Sequence, residues 1–374
     1  MLKIGFDAKR AFMNLSGLGN YSRTLLKSLV ENFPQHHYIL FSPKVTDLFP
    51  ERDRFQLITP HTWQDQTVPA YWRRVRITRE AKKQDLDVYH GLSHELPVGL
   101  DKTGIQSVVT IHDLIFERFP EQYPWLDRLS YRHKVQHACN KAHCIVAVSA
   151  QTKYDLVELY QIPEEKIHVI HLCADPRFGH TWTQSELDMV RQKYHLPRDY
   201  ILHVGAFNRR KNHLKLLEAF VLLPTDSDLQ MVLVGGRGSE EQAIERFIGQ
   251  HDLENRVKIL RQVPQDDLTA IFQCANLLVY NSLLEGFGIP ILEGFYSRIP
   301  VITSTGSCFG EVGGDACVYV DPLDAQALAQ AIYQVRTQPE LRSRLIQQGV
   351  KRASRFTPQK MARDHMDIYE QHWR

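Results

Sequence analysis

Short apolar runs alternate along the chain with longer segments in which apolar side chains recur every three or four positions. The short runs read as buried strands and the longer segments as amphipathic helices. In the first half the expected strands are 2–6, 37–42, 88–90, 107–111, 144–149 and 168–171, each followed by a helical pattern. Six more, 200–205, 230–235, 257–261, 277–280, 301–304 and 316–320, repeat the rhythm. Parallel strands need crossover helices, so an unbroken βα alternation that restarts near Tyr200 predicts an α/β protein with two doubly wound sheets. The polar stretch 175–198 lacks strand character and predicts domains at 1–185 and 186–357. Pro358, directly after a Thr357 cap, opens a terminal helix over 358–374, expected to pack back on the first domain.

A length of 374 residues fits two buried cores, and 43% hydrophobic with 24% charged residues is the composition of a folded, soluble protein. Against 43 acidic residues stand 45 Lys and Arg, a net charge of +2 that is too balanced for a protein that wraps nucleic acid. No apolar stretch approaches the roughly 18 residues of a membrane span, and the N-terminus does not look like a signal peptide. Six cysteines, Cys139, Cys144, Cys173, Cys274, Cys308 and Cys317, form no CxxC pair, which points to a reducing, cytoplasmic compartment.

Doubly wound domains bind ligands beyond the carboxyl ends of their strands, and the informative residues fall there. After the first strand, Asn14-Leu15-Ser16-Gly17-Leu18-Gly19-Asn20-Tyr21 feeds a helix whose amides could meet an anion, although Gly17 and Gly19 could equally serve a tight turn. After the strand 200–205 comes Asn208-Arg209-Arg210-Lys211-Asn212, either a solvated charge cluster or a phosphate site in which Arg offers a planar fork and Lys a point charge. After 277–280 comes Glu285-Gly286-Phe287-Gly288-Ile289-Pro290-Ile291-Leu292-Glu293. A helix starting near Pro290 leaves Glu285 in the loop and Glu293 in the first turn, where both carboxylates can face one cleft.

This last stretch resembles the two-glutamate signature of the retaining glycosyltransferases of family 4, which have the GT-B architecture of two facing Rossmann-like domains with an interdomain cleft. The Gly17 loop, Thr110-Ile111-His112-Asp113, Val148-Ser149, and Gly205 with Arg210-Lys211-Asn212 extend the resemblance over essentially the whole chain. The resemblance implies roles. Arg210 and Lys211 match the pair that neutralises the diphosphate of a nucleotide sugar, and Gly17 the glycine that approaches it. Glu293 matches the carboxylate that binds the ribose hydroxyls. Glu285, with the amides of Gly286, Phe287, Gly288 and Ile289, matches the group that holds the donor sugar. His112 matches the histidine beside the anomeric centre, and Val263 lies where main chain meets the nucleobase. The expected reaction is transfer of a hexose, mannose as first guess, from a GDP- or UDP-linked donor to a glycan or lipid-linked acceptor of a surface polysaccharide. Arg210, Lys211 and helix N-termini would stabilise the leaving diphosphate, so no metal or other cofactor is expected.

Other patterns have other readings. Asp85-Leu86-Asp87 and Asp226-Ser227-Asp228 match a metal-holding DxD, His112-Asp113 could belong to a metal phosphohydrolase, and His133, His137, Cys139, His143 and Cys144 contain types that zinc favours. Val135, Ala138, Cys139 and Ala142 are instead spaced as a buried helix face. Residues 71–83 carry six cations, one anion and two adjacent aromatics, either a solvated face or a patch for the anionic inner face of a membrane. Alternative functions are a silent nucleotide-sugar-binding partner and a sugar phosphorylase or nucleotide-sugar epimerase of the same architecture.

Overall fold

A computed structural model describes residues 1–224 and 228–371. Asp226 and Ser227 of the second DxD match lie outside them. Contacts divide the chain into two compact units, Met1–Cys173 with the residues from Thr357 on, and Ala174–Phe356. The first contains a parallel sheet of order β3-β2-β1-β4-β5-β6-β7. Its strands are β1 (Lys3–Asp7), β2 (His37–Phe41), β3 (Gln56–Ile58), β4 (Val88–Gly91), β5 (Gln106–Ile111), β6 (Cys144–Ala147) and β7 (Ile167–Val169). The second contains the order β10-β9-β8-β11-β12-β13. Here the strands are β8 (Tyr200–Val204), β9 (Gln230–Val234), β10 (Val257–Leu260), β11 (Leu277–Tyr280), β12 (Val301–Ser304) and β13 (Cys317–Val320). Helices on both faces explain why the central strands read as nearly continuous apolar runs: all four residues of β4, β6, β11 and β12 are buried. The sequence pattern has no equivalent of β3, a three-residue edge strand that follows the charged turn Pro50–Arg54.

The change of unit falls at Ala174, not at 186 where the polarity of the sequence placed it. The intervening residues are held to the helix Gln265–Cys274. Arg177 pairs with Asp266 at 2.7 Å, Trp182 Nε1 donates to Thr269 Oγ1 at 3.1 Å, and Phe178 meets Phe272 edge-on at 5.1 Å. A polar surface had concealed a few well-placed anchors.

The helix Pro358–Gln371 packs on the helix Gly17–Asn32 of the first unit. Met361, Ala362, Met366, Ile368 and Tyr369 are buried there, and the polar groups between them form one chain of hydrogen bonds. Since His365 Nδ1 meets the Met361 carbonyl at 2.7 Å, it must donate, which leaves Nε2 to accept from Tyr21 Oη at 3.1 Å. Tyr21 then accepts from Thr110 Oγ1 at 2.9 Å, Thr110 from His90 Nε2 at 2.8 Å, and His90 Nδ1 from Tyr369 Oη at 2.6 Å. In this arrangement each group is satisfied with both histidines neutral. Burial pushes both imidazoles down, His365 to about 4.

Candidate functional site

The order of the second sheet reverses between β8 and β11, the point at which a doubly wound fold opens a crevice at its carboxyl edge. The two loops leaving these strands carry Arg210 and Lys211 on one side and Glu285 on the other. After β8 the chain passes Gly205 and makes the turn Arg209–Lys211, with the Asn208 side chain accepting from the Lys211 amide at 3.2 Å. The Lys211 stem lies across Gly205, where a Cβ would stand 2.9–3.1 Å from its Cγ, Cδ and Cε. Gly205 in turn rests on Gly235 at the end of β9, where a Cβ would stand 2.1 Å from the Gly205 carbonyl oxygen. Two side-chain-free positions thus let the lysine cross the sheet edge.

The loops are laced together. Asn212 Nδ2 donates to the Asn281 carbonyl at 3.1 Å, Asn281 Nδ2 to the Asn212 carbonyl at 3.2 Å, and the Leu283 amide to the Arg210 carbonyl at 2.8 Å. Between them Glu285 bridges the cations: one oxygen pairs with Arg210 Nη1 and the other with Lys211 Nζ at 2.7 Å. Lys211 Nζ also donates to Tyr280 Oη at 2.9 Å and stands 4.7 Å from that ring's centroid. The Glu285 main chain is fixed by Ser307, whose Oγ lies 3.3 Å from its amide and 3.2 Å from its carbonyl. Burial would raise the Glu285 carboxyl, but Lys211 and Arg210 outweigh it and hold the group down at about 2. Tyr280 and Ser307 carry no motif of their own, and only the folded loops reveal them and the pairing of Asn212 with Asn281.

Glu293 is the fifth residue of the helix Ile289–Tyr296, past the first turn where the sequence placed it, because the helix already starts at Ile289 behind Gly288, which is in the left-handed region at φ 95°. Phe287 is buried and meets Phe356 edge-on at 5.9 Å, leaving main chain rather than a ring at this edge. Burial foremost, then the charge of Asp175, lifts the Glu293 carboxyl to about 8 against the pull of Lys211. The folded chain therefore keeps a proton that the unfolded chain gives up near 4.5. Stability must fall as pH rises between these values. Glu293→Gln is expected to unfold several degrees above the parent at about pH 9 and level with it at about pH 4; parallel melting curves across that range would contradict the protonated state. Val263 is half-buried in the loop after β10, two strands from β8 on the same sheet edge.

In the first unit His112 follows β5, its Nε2 donating to the Leu92 carbonyl at 3.0 Å and its ring 4.8 Å from Tyr21. Gly17 begins the helix Gly17–Asn32, and a Cβ there would meet nothing within 4 Å. At Gly19 a Cβ would lie 1.8 Å from the Asn14 carbonyl oxygen, so packing demands the second glycine but not the first. Cys139 and Val135 lie on the buried face of the helix Trp125–Lys141, with His133 outside, and among the described residues no three His, Cys, Asp or Glu are grouped to hold a metal. The basic stretch needs correction. Arg73 is turned inward onto Asp7 at 2.5 Å and Glu95 at 3.1 Å, Trp72 is buried, and Arg76 faces Asp65 at 3.4 Å, so only part of 71–83 is free surface. No described helix is long and apolar enough to cross a membrane.

Two family models match the chain, Glycosyltransferase Family 4 over residues 15–178 and Glycosyl transferases group 1 over 187–352. The O-antigen chain mannosyltransferase B of Escherichia coli is 28% identical over 99% of this chain and 100% of its own length. A glycosyltransferase of Rickettsia africae superposes with a TM-score of 0.76, 21% identity and coverage of 99% and 98%. HepE of Anabaena, solved in complex with UDP-glucose, gives 0.75 and 17% over 99% and 100%. At such identities the likeness to solved structures is one of fold, and the fold is GT-B. With both halves matched in order, the chain belongs to the group 1, family 4 glycosyltransferases.

Proposed function

We propose that the chain transfers mannose from a nucleotide-diphosphate sugar to a glycan or lipid-linked acceptor during surface polysaccharide synthesis, with retention at the anomeric carbon. The observation that supports this reading is the buried Arg210–Glu285–Lys211 bridge at the switch point of the second sheet. Breaking a sugar–phosphate bond leaves negative charge on the diphosphate, and two fixed cations at low dielectric stabilise that charge without reorganising. A diphosphate offered to Arg210 and Lys211 competes with Glu285, whose carboxylate then turns to the sugar hydroxyls. In this reading the two cations do the work a metal does elsewhere, Glu293 receives the ribose, and the main chain around Val263 meets the base. Mannose and the polysaccharide setting follow the Escherichia coli relative, and a nucleotide donor agrees with the UDP-glucose bound by HepE.

Thermal unfolding against GDP, UDP, ADP and dTDP and their sugars, in EDTA, tests the donor. Ligand at 100 times its dissociation constant adds about 2.7 kcal/mol of stability. A rise with one nucleotide in EDTA supports a metal-independent donor site, whereas no rise with any, or one abolished by EDTA, overturns that part. An inverted anomeric configuration in the product, read by NMR, would overturn retention.

We further propose that the protein works in the cytoplasm, against the inner face of the membrane. Val68, Tyr71 and Val75 are exposed at helical spacing, beside the exposed cations Arg74, Arg79 and Lys82. Replacing these three cations by Ser, with Arg73 left in place, should weaken co-sedimentation with phosphatidylglycerol vesicles and leave the melting temperature unchanged. Equal sedimentation of parent and variant would end this part of the proposal.

A further inference from the structure

The order of the first sheet reverses between β1 and β4, so a second crevice is expected at the carboxyl ends of those strands. Lys9 and Arg10 follow β1, and Ser93-His94-Glu95 follow β4. The second loop is fastened on every side. It folds back over Gly91, where a Cβ would lie 2.1 Å from the Glu95 carbonyl oxygen. The Leu92 carbonyl accepts from His112 Nε2, and the His94 amide donates to the Thr110 carbonyl at 2.9 Å. The Glu95 carboxylate pairs with Arg73 and Lys134, both at 3.1 Å, and Arg73 reaches on to Asp7 at the end of β1.

This fastening holds His94 at φ 60°, in the left-handed region that a non-glycine residue adopts only when its surroundings impose it. Two side chains at the apex have no hydrogen-bond partner among the described residues. Ser93 Oγ is buried without one, and neither nitrogen of the His94 ring has one. The His94 ring stands 5.5 Å from that of His112, tilted by 44°, and Arg10 is in electrostatic reach of both. Burial first, then Arg10, pushes the His94 imidazole down to about 4 against the pull of Glu95, so at neutral pH it offers one N–H and one lone pair.

We propose that Ser93 and His94 form the acceptor-sugar subsite, holding neighbouring hydroxyls of a hexose and positioning the attacking one beside His112. A hydroxyl and a neutral imidazole each give and take a hydrogen bond, and so does every hydroxyl of a vicinal diol. An anionic ligand would meet Arg10 and Lys9 but also Asp7 and Glu95, whereas an uncharged polyol incurs no such conflict. His94 is here a positioning residue. The proposal rests on the reading of the chain as a sugar transferase.

The test uses His94→Asn, because asparagine tolerates the left-handed backbone, together with Ser93→Ala. Octyl mannoside, glucoside and galactoside serve as acceptors at saturating donor, and donor is then varied at saturating acceptor. Acceptor KM should rise about tenfold while donor KM stays within about twofold, a split that general loosening of the fold would not give. Acceptor KM unchanged in both variants, or both KM values rising together, overturns the proposal. Saturation-transfer NMR of methyl hexosides on the full chain, without donor, separates the two readings. Should no nucleotide sugar bind the parent, the donor reading fails, while hexoside signals lost in His94→Asn still support the subsite. Signals absent from the parent, or equal in the variant, overturn it.

Discussion

Replacing Lys211 by Ala is expected to lower kcat/KM for transfer about 100- to 1,000-fold, the 2.7–4 kcal/mol that one preorganised charge-stabilising group typically supplies. The same variant should lose the nucleotide-dependent rise in melting temperature. Lys211 has an 11% exposed side chain and sits between Glu285 and Tyr280, so its ammonium is held in place with little water to screen it. Its removal also leaves Glu285 with Arg210 alone, and burial then regains ground on the carboxylate. Lys211→Arg distinguishes charge from shape: a fork in place of a point charge keeps the charge but cannot follow the same path over Gly205. Activity of Lys211→Ala within about threefold of the parent would remove this cation from the reaction altogether.

The second large effect concerns the glycines beneath that lysine. In Gly205→Ala the atoms nearest the new methyl are those of the flexible Lys211 stem, which can step aside and carry its ammonium off Glu285 and Tyr280. Activity should drop by about 100-fold, since misplacement of roughly 1 Å can cost that much, while the melting temperature moves little. In Gly235→Ala the methyl meets the main chain of Gly205, which cannot step aside. That variant should lose about 1–3 kcal/mol of stability as well as activity. Activity assays and denaturant melts on the pair check the contrast. Equal stability losses in both would mean that Lys211 is not free to move and that the two glycines serve packing alone.

Much of the architecture was legible because parallel strands buried on both faces leave an unmistakable record, as in Leu277-Leu278-Val279-Tyr280. Arg210, Lys211 and Glu285 were legible as residues because they lie in the loops that leave strand ends, and Glu293 because it stands in the helix that the second of those loops feeds. Their arrangement was not. The spacing of Glu285 and Glu293 suggested two similar carboxylates facing one cleft, yet paired cations hold one ionised and burial beside Asp175 keeps the other protonated. Nor did Tyr280 announce itself, since it is an ordinary apolar strand residue until Lys211 arrives from 69 positions away. Composition likewise counted Arg73 among surface cations, and only the fold turns it inward to Asp7 and Glu95. His94 left no trace either, because a left-handed backbone at a histidine is imposed by contacts that no local pattern encodes.

The terminal helix has a consequence for synthesis. The first unit begins the chain, yet Tyr369 and His365 are needed to finish its hydrogen-bond chain through His90, Thr110 and Tyr21, and Tyr369 also lies edge-on to Phe6 in β1. A ribosome therefore delivers the second unit, continuous from Ala174 to Phe356, before the first can close. The half made earliest is completed last, and any nascent chain halted before Thr357 carries a whole second unit behind an unsealed first one. Such a chain exposes the apolar seat of Met361, Met366 and Ile368, a surface for chaperones to hold until the last helix emerges.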